Sequence, residues 1–292
     1  MRSSDPLVSI GLPVRNAGKR VANVITSILA QDHPHLELVI SDNASTDDTE
    51  EVCRELARSD SRIAYHRQAE NIGLFNNFVY AIGAARGEYF RWIGDDDRLE
   101  PPYVSRCLRA FADDPRLILV TTGMAYAGPD GVAHSASYEG TGLSSDDPMV
   151  RLTEILRLLN ESHLLIDPLY GMVKRAPVAA IPRRNMMRED EVFATKLALA
   201  GPWGHAPEIL ARRGWKPDKI RDIARRLDVP VWQAHFSSSL LCKEILTWLG
   251  QAGLTADQVR QARVAVYRMY MRRQWRTVSH RSRKLVRLAM AR

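Results

Sequence analysis

No window of this 292-residue chain approaches eighteen uninterrupted apolar residues, and Met1-Arg2-Ser3-Ser4-Asp5-Pro6 leads into no apolar signal segment. Neither a membrane-spanning helix nor a secretory leader is expected. Cysteine is scarce: Cys53, Cys107 and Cys242 are odd in number, far apart and without metal-binding spacing. They suit buried thiols in a reducing compartment, so the expectation is a cytoplasmic protein. The phosphate cradles of two large nucleotide-binding classes are missing as well. Neither a Gly-x-Gly-x-x-Gly turn after the first strand nor a Gly-x-x-x-x-Gly-Lys-Ser/Thr loop occurs, which argues against a dehydrogenase or a P-loop enzyme. With no helix-turn-helix, finger or RNA-binding signature, nucleic acid is not an expected partner.

One region lacks acid. Between Arg260 and Arg292 there are eleven Arg or Lys and no Asp or Glu, within a chain whose formal net charge is +7. A polybasic amphipathic helix of this kind can rest on anionic lipid, on the inner face of a membrane. Its ordinary alternative is a solvated face of a small helical subdomain, with Val264, Val266, Tyr267 and Tyr270 packing on the main body.

What is present begins with strands. Leu7–Leu12, Leu36–Ser41, Ile63–His66 and Glu88–Ile93 read as short strands, several of them nearly continuous apolar runs. They alternate with helices over Lys19–Gln31, Asp48–Arg58 and Gly73–Ala85. This pattern predicts an α/β domain with a mostly parallel sheet flanked by helices on both faces. Beyond Pro101 the reading continues with a helix to Ala112, a strand over Leu117–Thr122 and a hairpin turn at Tyr126–Val132. A Gly/Ser-rich loop over Glu139–Asp147 suits a mobile segment near an acceptor site, or equally an ordinary surface loop. It is followed by a helix over Pro148–Asn160, strands over Leu169–Lys174 and Trp203–Leu210, and between these strands a helix opened by Arg188-Glu189-Asp190-Glu191. Val192, Phe193, Leu197 and Ala200 give that helix a buried face. After a basic turn at Arg212–Pro217 the character becomes helical, notably over Leu240–Trp248 and Ala256–Arg273.

In such sheets a ligand sits beyond the carboxyl ends of the strands. That rim would collect Arg15-Asn16, Asp42-Asn43, Asn71 and Asp95-Asp96. The last pair belongs to Gly94-Asp95-Asp96-Asp97, where a strand runs out into three adjacent carboxylates. Such crowding fits a divalent cation that carries pyrophosphate oxygens in its remaining positions, although a solvated acidic turn ahead of a helix would look similar. Asp190 alone could be a helix-starting carboxylate stabilised by free backbone amides.

Taken together, Val8–Asn16, the Ser41-Asp42-Asn43-Ala44-Ser45-Thr46-Asp47-Asp48-Thr49 run, Glu70-Asn71-Ile72-Gly73, Gly87-Glu88-Tyr89 leading to Asp95-Asp96-Asp97, and Glu189-Asp190 occur in one order. In that order the chain resembles glycosyltransferase family 2, inverting nucleotide-sugar-dependent enzymes with the A-type glycosyltransferase fold, over roughly Pro6 to Arg213. The resemblance implies a glycosyltransferase domain over 1–225, with a nucleotide-binding part at about 6–123 and an acceptor-binding part at about 124–225. A basic helical extension follows over 226–292. It also implies that Pro13, Arg15 and Asn16 line the nucleotide pocket, that Asp42 contacts base or ribose, and that Asn71 lies near the nucleotide sugar. Asp95 and Asp96 would hold ribose and a diphosphate-bound Mg²⁺ or Mn²⁺, with Asp96 the leading metal ligand. Asp190 would be the general base.

The implied reaction moves a hexosyl or deoxyhexosyl group from a nucleoside-diphosphate sugar, UDP- or dTDP-linked first, to a glycan, lipid-linked or small-molecule acceptor. Two departures stand out. Asn43 replaces the second carboxylate of the family's Asp-Asp-Gly-Ser motif, and Gly214-Trp215-Lys216 stands where a histidine is frequent. A non-catalytic nucleotide- or protein-binding module of the same fold and a metal-dependent nucleotidyltransferase are the alternatives. The second lacks its Gly-rich triphosphate loop.

Overall fold

The computed structural model describes residues 5–128, 131–136, 138–161, 166–214 and 219–290, without the side chains of 277, 278 and 280–290. Its centre is strand β1 (Val8–Val14), in which every residue is buried. Such a strand must be covered on both faces, and its composition of Val, Ile and Leu suits that environment. Helix α1 (Arg20–Leu29) supplies part of the cover through Val21, Val24, Ile25 and Ile28, a spacing that places all four on one side. Strand β2 (Leu36–Asp42), equally buried, pairs parallel to β1 with Val8 opposite Leu36 and Val14 opposite Asp42.

After helix α2 (Thr49–Ser59) comes β3 (Ile63–Arg67), parallel to β2. Helix α3 (Leu74–Ala84) then crosses back to β4 (Tyr89–Trp92), which pairs parallel to β1 on its other side. The order β3-β2-β1-β4 therefore turns round at β1, and the loops after β1, β2 and β4 open on one rim.

The chain continues through β5 (Arg98–Leu99), helix α4 (Tyr103–Asp113), β6 (Leu119–Ala127), β7 (Ala133–His134) and helix α5 (Pro148–Leu158). It then forms β8 (Met172–Lys174), the short α6 (Arg175–Ala179), α7 (Glu189–Ala200) and β9 (Trp203–Gly214). Among the described residues these complete a nine-stranded sheet of order β3-β2-β1-β4-β8-β6-β9-β5, with β7 beside β6. Parallel pairing belongs to the first four strands and to β6 with β9. The remaining pairs are antiparallel, so this half is mixed. The register of β6 against β9 shifts at Gly123. A Cβ there would lie 2.7 and 2.8 Å from the carbonyl oxygens of Pro207 and Glu208, so only glycine fits.

One expectation is corrected here. Helix α7 is buried all round from Val192 to Leu199, whereas Ala200 is exposed. It runs between α5 and the later α10 (Ser237–Trp248), so one apolar face would not suffice. Even Lys196 is buried, donating to the Pro182 carbonyl at 2.8 Å. The Gly/Ser-rich loop lies at the surface, with Glu139, Gly140, Thr141, Ser144, Asp146 and Asp147 exposed, anchored by buried Leu143 and by Arg151 of α5, which donates to the carbonyls of Ser145 and Asp146. The same guanidinium caps the end of α7 by donating to the Ala198 and Leu199 carbonyls.

Short helices α8 (Ile220–Arg226) and α9 (Trp232–His235) precede α10 and the long α11 (Ala256–Met290). Leu241, Ile245, Ala262, Val266 and Met269 join the same apolar core as α5 and α7. Of the four residues expected to pack from α11, only Val266 is fully buried, and Tyr270 is partly so. Val264 and Tyr267 are 48% and 57% exposed. The expected hairpin turn and basic turn fall partly outside the described residues, at Pro129, Asp130, Trp215, Lys216 and Pro217.

Candidate active site

The rim is built by loops that bind one another. Asn16, at the end of β1, sits at φ 53°, a conformation asparagine tolerates better than most residues. Its amide oxygen accepts from the Thr46 backbone N–H at 2.9 Å, and its own N–H donates to Ser45 Oγ at 3.0 Å. The β1 and β2 loops are thereby locked together. Thr49 Oγ1 adds a second lock by accepting from the backbone N–H groups of Ala17 and Gly18, each at 2.9 Å.

Asp42 is placed differently from the other rim residues. Its carboxylate is fully buried and accepts from the Ser45 N–H at 2.9 Å, Ser45 Oγ at 2.6 Å and Tyr65 Oη at 2.7 Å. Asn43, next in sequence, faces the cavity instead. Its Nδ2 donates to Asn71 Oδ1 at 2.7 Å, and its Oδ1 accepts from the Ile72 N–H at 2.7 Å. A carboxylate could accept from Ile72 but could not donate to Asn71. The departure at position 43 thus has a structural use.

Beneath them Asn77 of α3 is buried. It accepts from Ser41 Oγ at 2.6 Å and donates to the Ser41 carbonyl at 2.9 Å. Asn77→Ala is expected to leave these buried groups unmatched and to cost about 1–3 kcal/mol. The check is a lower urea midpoint at unchanged m-value.

Pro13, Arg15, Asn16, Asn71 and Asp95 line one cavity of about 690 Å³, together with Asn43 and, unexpectedly, Arg225, Arg226 and Asp228 from the end of α8. Asp42 is not part of its wall. The cavity adjoins a second recess of about 690 Å³ through Asp95, where Asp96 and Asp97 are found. The three carboxylates have separated there. Asp95 pairs with Arg20 at 2.8 Å. Asp97 is buried, accepting from the Gly94 N–H at 2.9 Å and from Arg213 Nε at 3.2 Å. Asp96 is exposed, and Gly214 passes so close that a Cβ there would lie 2.8 Å from Asp96 Oδ2.

Among the described residues no cluster of three or more His, Cys, Asp or Glu could hold a metal. One exposed carboxylate nevertheless fits an ion of the Mg²⁺ type, which is held by one or two carboxylates with phosphate oxygens and water completing its shell.

Arg213, expected within a basic turn, lies instead at the end of β9 and at the centre of the site. Its guanidinium lies 3.6 Å from the Tyr170 ring centroid, donates to Asp167 Oδ2 at 2.6 Å and reaches Asp97. Tyr170 in turn receives a hydrogen bond on its carbonyl from Arg91 Nε at 3.0 Å, and Arg91 is fully buried in β4. The strand that ends in the carboxylates is thereby tied to the floor of a third cavity. This one, of about 290 Å³, shares Leu74 and Arg226 with the first and is also lined by Arg213, Asp167 and Asp190.

Asp190 is isolated by its neighbours. Glu189 forms a two-pronged pair with Arg183 at 2.7 and 2.6 Å, and Glu191 binds Arg188 and Arg273. Arg188, which precedes α7, takes a positive φ of 63°, a strained conformation of the kind found where geometry is over-determined. Among the described residues the Asp190 carboxylate has no side-chain partner. Asp190 is itself exposed to solvent, at a point where two recesses meet. Loss of bulk water foremost, then the charge of Glu191, pushes this carboxyl up to about 6. It also borders a cavity of about 390 Å³ walled by Ile155, Leu158, Leu159 and Ile166.

The glycosyl transferase family 2 model matches residues 9–179. A chondroitin synthase of Pasteurella multocida is 34% identical over 126 residues, which is 43% of this chain and 13% of that protein. The chain therefore spans only a small part of that relative. Among solved structures, S. aureus TarS 1-349 in complex with UDP-GlcNAc superposes with a TM-score of 0.65 at 15% identity, covering 90% of this chain and 72% of that one. The mannosyltransferase PcManGT from Pyrobaculum calidifontis, in complex with GDP-Man and Mn²⁺, gives 0.54 at 17% identity, covering 94% and 84%. These likenesses establish the A-type fold.

Proposed function

Because the chain belongs to glycosyltransferase family 2, we propose that it moves a sugar from a nucleoside-diphosphate sugar to an acceptor hydroxyl with inversion at the anomeric carbon. The observation that carries this reading is the run of adjoining cavities from the rim, past Arg226 and Arg213, to Asp190. The nucleoside end lies between the β1 loop and the Asn43–Asn71 pair. Arg225 and Arg226 bring positive charge toward the diphosphate. Asp42 acts from behind the wall by holding the loop that presents Asn43. Asp96, with Asp95 beside it, is the place for Mg²⁺ or Mn²⁺, which when bound offsets negative charge developing on the departing diphosphate.

At the other end Asp190 removes the acceptor proton as the acceptor oxygen bonds to C1. The C1–oxygen bond to phosphate breaks on the opposite side, and its electron pair leaves with the nucleoside diphosphate. A carboxyl held near 6 is ionised at neutral pH and still basic enough to accept a proton. The leucine-walled cavity beside it is where the acceptor enters. Likeness to a chondroitin synthase supports a polysaccharide acceptor, and the UDP-GlcNAc held by TarS makes a uridine donor the first to test, beside the guanosine nucleotide of PcManGT.

The test is a thermal-shift screen of UDP, dTDP and GDP with and without Mn²⁺, followed by turnover across the matching sugars. A UDP or dTDP shift that grows with the ion is expected, of about 2.7 kcal/mol at a hundredfold excess over Kd. Indifference to every nucleotide would overturn the reading.

A further inference from the structure

Helix α11 has two faces, and only one is used by the fold. Ala262, Val266 and Met269 are buried against the core, and Arg273 on the same side binds Glu191. Opposite them Val264, Tyr267, Met271 and Trp275 stand 48%, 57%, 63% and 74% exposed. Their spacing of three, four and four residues aligns them in one stripe. Exposed arginines border it at 260, 263, 268, 272 and 276. Arg260 pairs with Asp257, and Arg276 donates to the Asn160 carbonyl. Among the described residues Arg263, Arg268 and Arg272 make no ion pair.

We infer that this face docks on an anionic membrane surface, with the four apolar side chains entering the headgroup boundary and the arginines meeting lipid phosphates. No helix among the described residues is long and apolar enough to cross a membrane, and the proposed helix lies in the surface plane. Charge selects the occupant. The chain from Gln258 to Arg292 contains no acid, so a second copy laid along α11 would bring arginine against arginine. A nucleic acid would satisfy the arginines while pressing phosphates on Trp275 and Met271. An anionic bilayer accepts both halves of the pattern, since apolar side chains find acyl carbon while arginine stems reach up to phosphate. Tryptophan is enriched at this depth. The inference extends the sequence-based expectation for the tail by naming the surface, and vesicle binding needs no turnover, so it stands or falls apart from the catalytic reading.

The experiment is co-sedimentation of the full chain with phosphatidylcholine vesicles, with and without phosphatidylglycerol. Binding is expected only with the anionic lipid, and it should weaken as salt rises from about 0.1 M to about 1 M, which shortens the screening length from about 10 Å to about 3 Å. Arg268→Gln with Arg272→Gln should weaken it about 25-fold, at about fivefold for each arginine. Met271→Ser with Trp275→Ser should remove binding even at low salt. Unchanged circular dichroism shows that these surface variants fold. Absence of binding to anionic vesicles, equal binding to neutral ones, or variants that bind like the parent would each overturn the proposal. So would variants that change only the oligomeric state on size exclusion, which would assign the stripe to a second copy.

Discussion

Asp190→Asn is expected to lower turnover by about 10² to 10⁴ while leaving donor binding intact, because it removes the proton acceptor without changing shape. Two further readouts separate this from a structural effect. In the parent enzyme kcat/KM should rise with pH through about 6 and level above it, since only the ionised carboxylate accepts a proton. That acidic limb should vanish from the residual activity of the Asn variant.

Stability should move the other way. The folded carboxyl titrates above its ordinary value of 3.8, so the fold disfavours its charged form. This penalty is absent below about pH 4, grows as pH rises through about 6 and is complete above. The Asn variant should therefore melt higher than the parent at neutral pH and equally near pH 4, the trade between stability and activity common at catalytic positions. Near-parental turnover would exclude Asp190 as the base, and a product that keeps the donor's anomeric configuration would exclude single displacement.

Asp96→Ala is the second large effect. Charge developing on the leaving diphosphate is most costly where no counter-charge is fixed, and loss of one such stabilising element typically costs about 10² to 10³ in rate. Turnover should fall at least that far, and a chelator should do the same to the parent. Calorimetry gives an independent reading: Mn²⁺ should tighten UDP binding by the parent and have no effect on binding by the variant. Equal UDP affinity with and without the ion in the parent would remove Asp96 from metal holding. Asp97→Ala serves as the contrast. Its carboxylate bonds the Gly94 N–H and Arg213, so its loss should lower the melting temperature first.

The parallel half of the fold was legible because β1 and β2 are buried on both faces and so read as nearly continuous apolar runs, with Ser9 and Glu37 bonded to each other in the interior. Strands of two residues, such as β5 and β7, are too short to display a period of two, whereas β8 falls inside the strand expected over Leu169–Lys174. Residue type also located the rim, since Arg15, Asn16, Asn71 and Asp95 do share a cavity. It could not orient a side chain. Asp42 and Asn43 are adjacent and both polar, yet Ser45 and Tyr65 turn the first inward while Asn71 holds the second, itself buried, in the cavity wall.

Arg213 was hidden for another reason. Its partners lie 116 and 46 residues away, and no local pattern distinguishes it from Arg212, which pairs with Glu100 nearer the surface. The arginines of α8 left only a weak sign, because Ile220, Ile223, Ala224 and Leu227 between them read as the ordinary apolar stripe of a surface helix. For α11 the periodicity correctly announced a helix, but two of its apolar residues belong to the far side, a distinction that requires knowing which stripe meets the core.

Arg273 binds Glu191 at 2.5 Å, the Leu159 carbonyl at 2.9 Å and Asn160 Oδ1 at 2.8 Å, which fastens α11 beside the residue next to Asp190. For anyone engineering this scaffold, the chain cannot be trimmed like a domain with a detachable tail. Cutting before α11 would strip Glu191 of one of its two arginines and bare the core around Leu241 and Ile245. A chimera that exchanges C-terminal helices between relatives would have to carry the Glu191–Arg273 pair as a unit, or else retune the carboxyl beside it along with the helix it meant to replace.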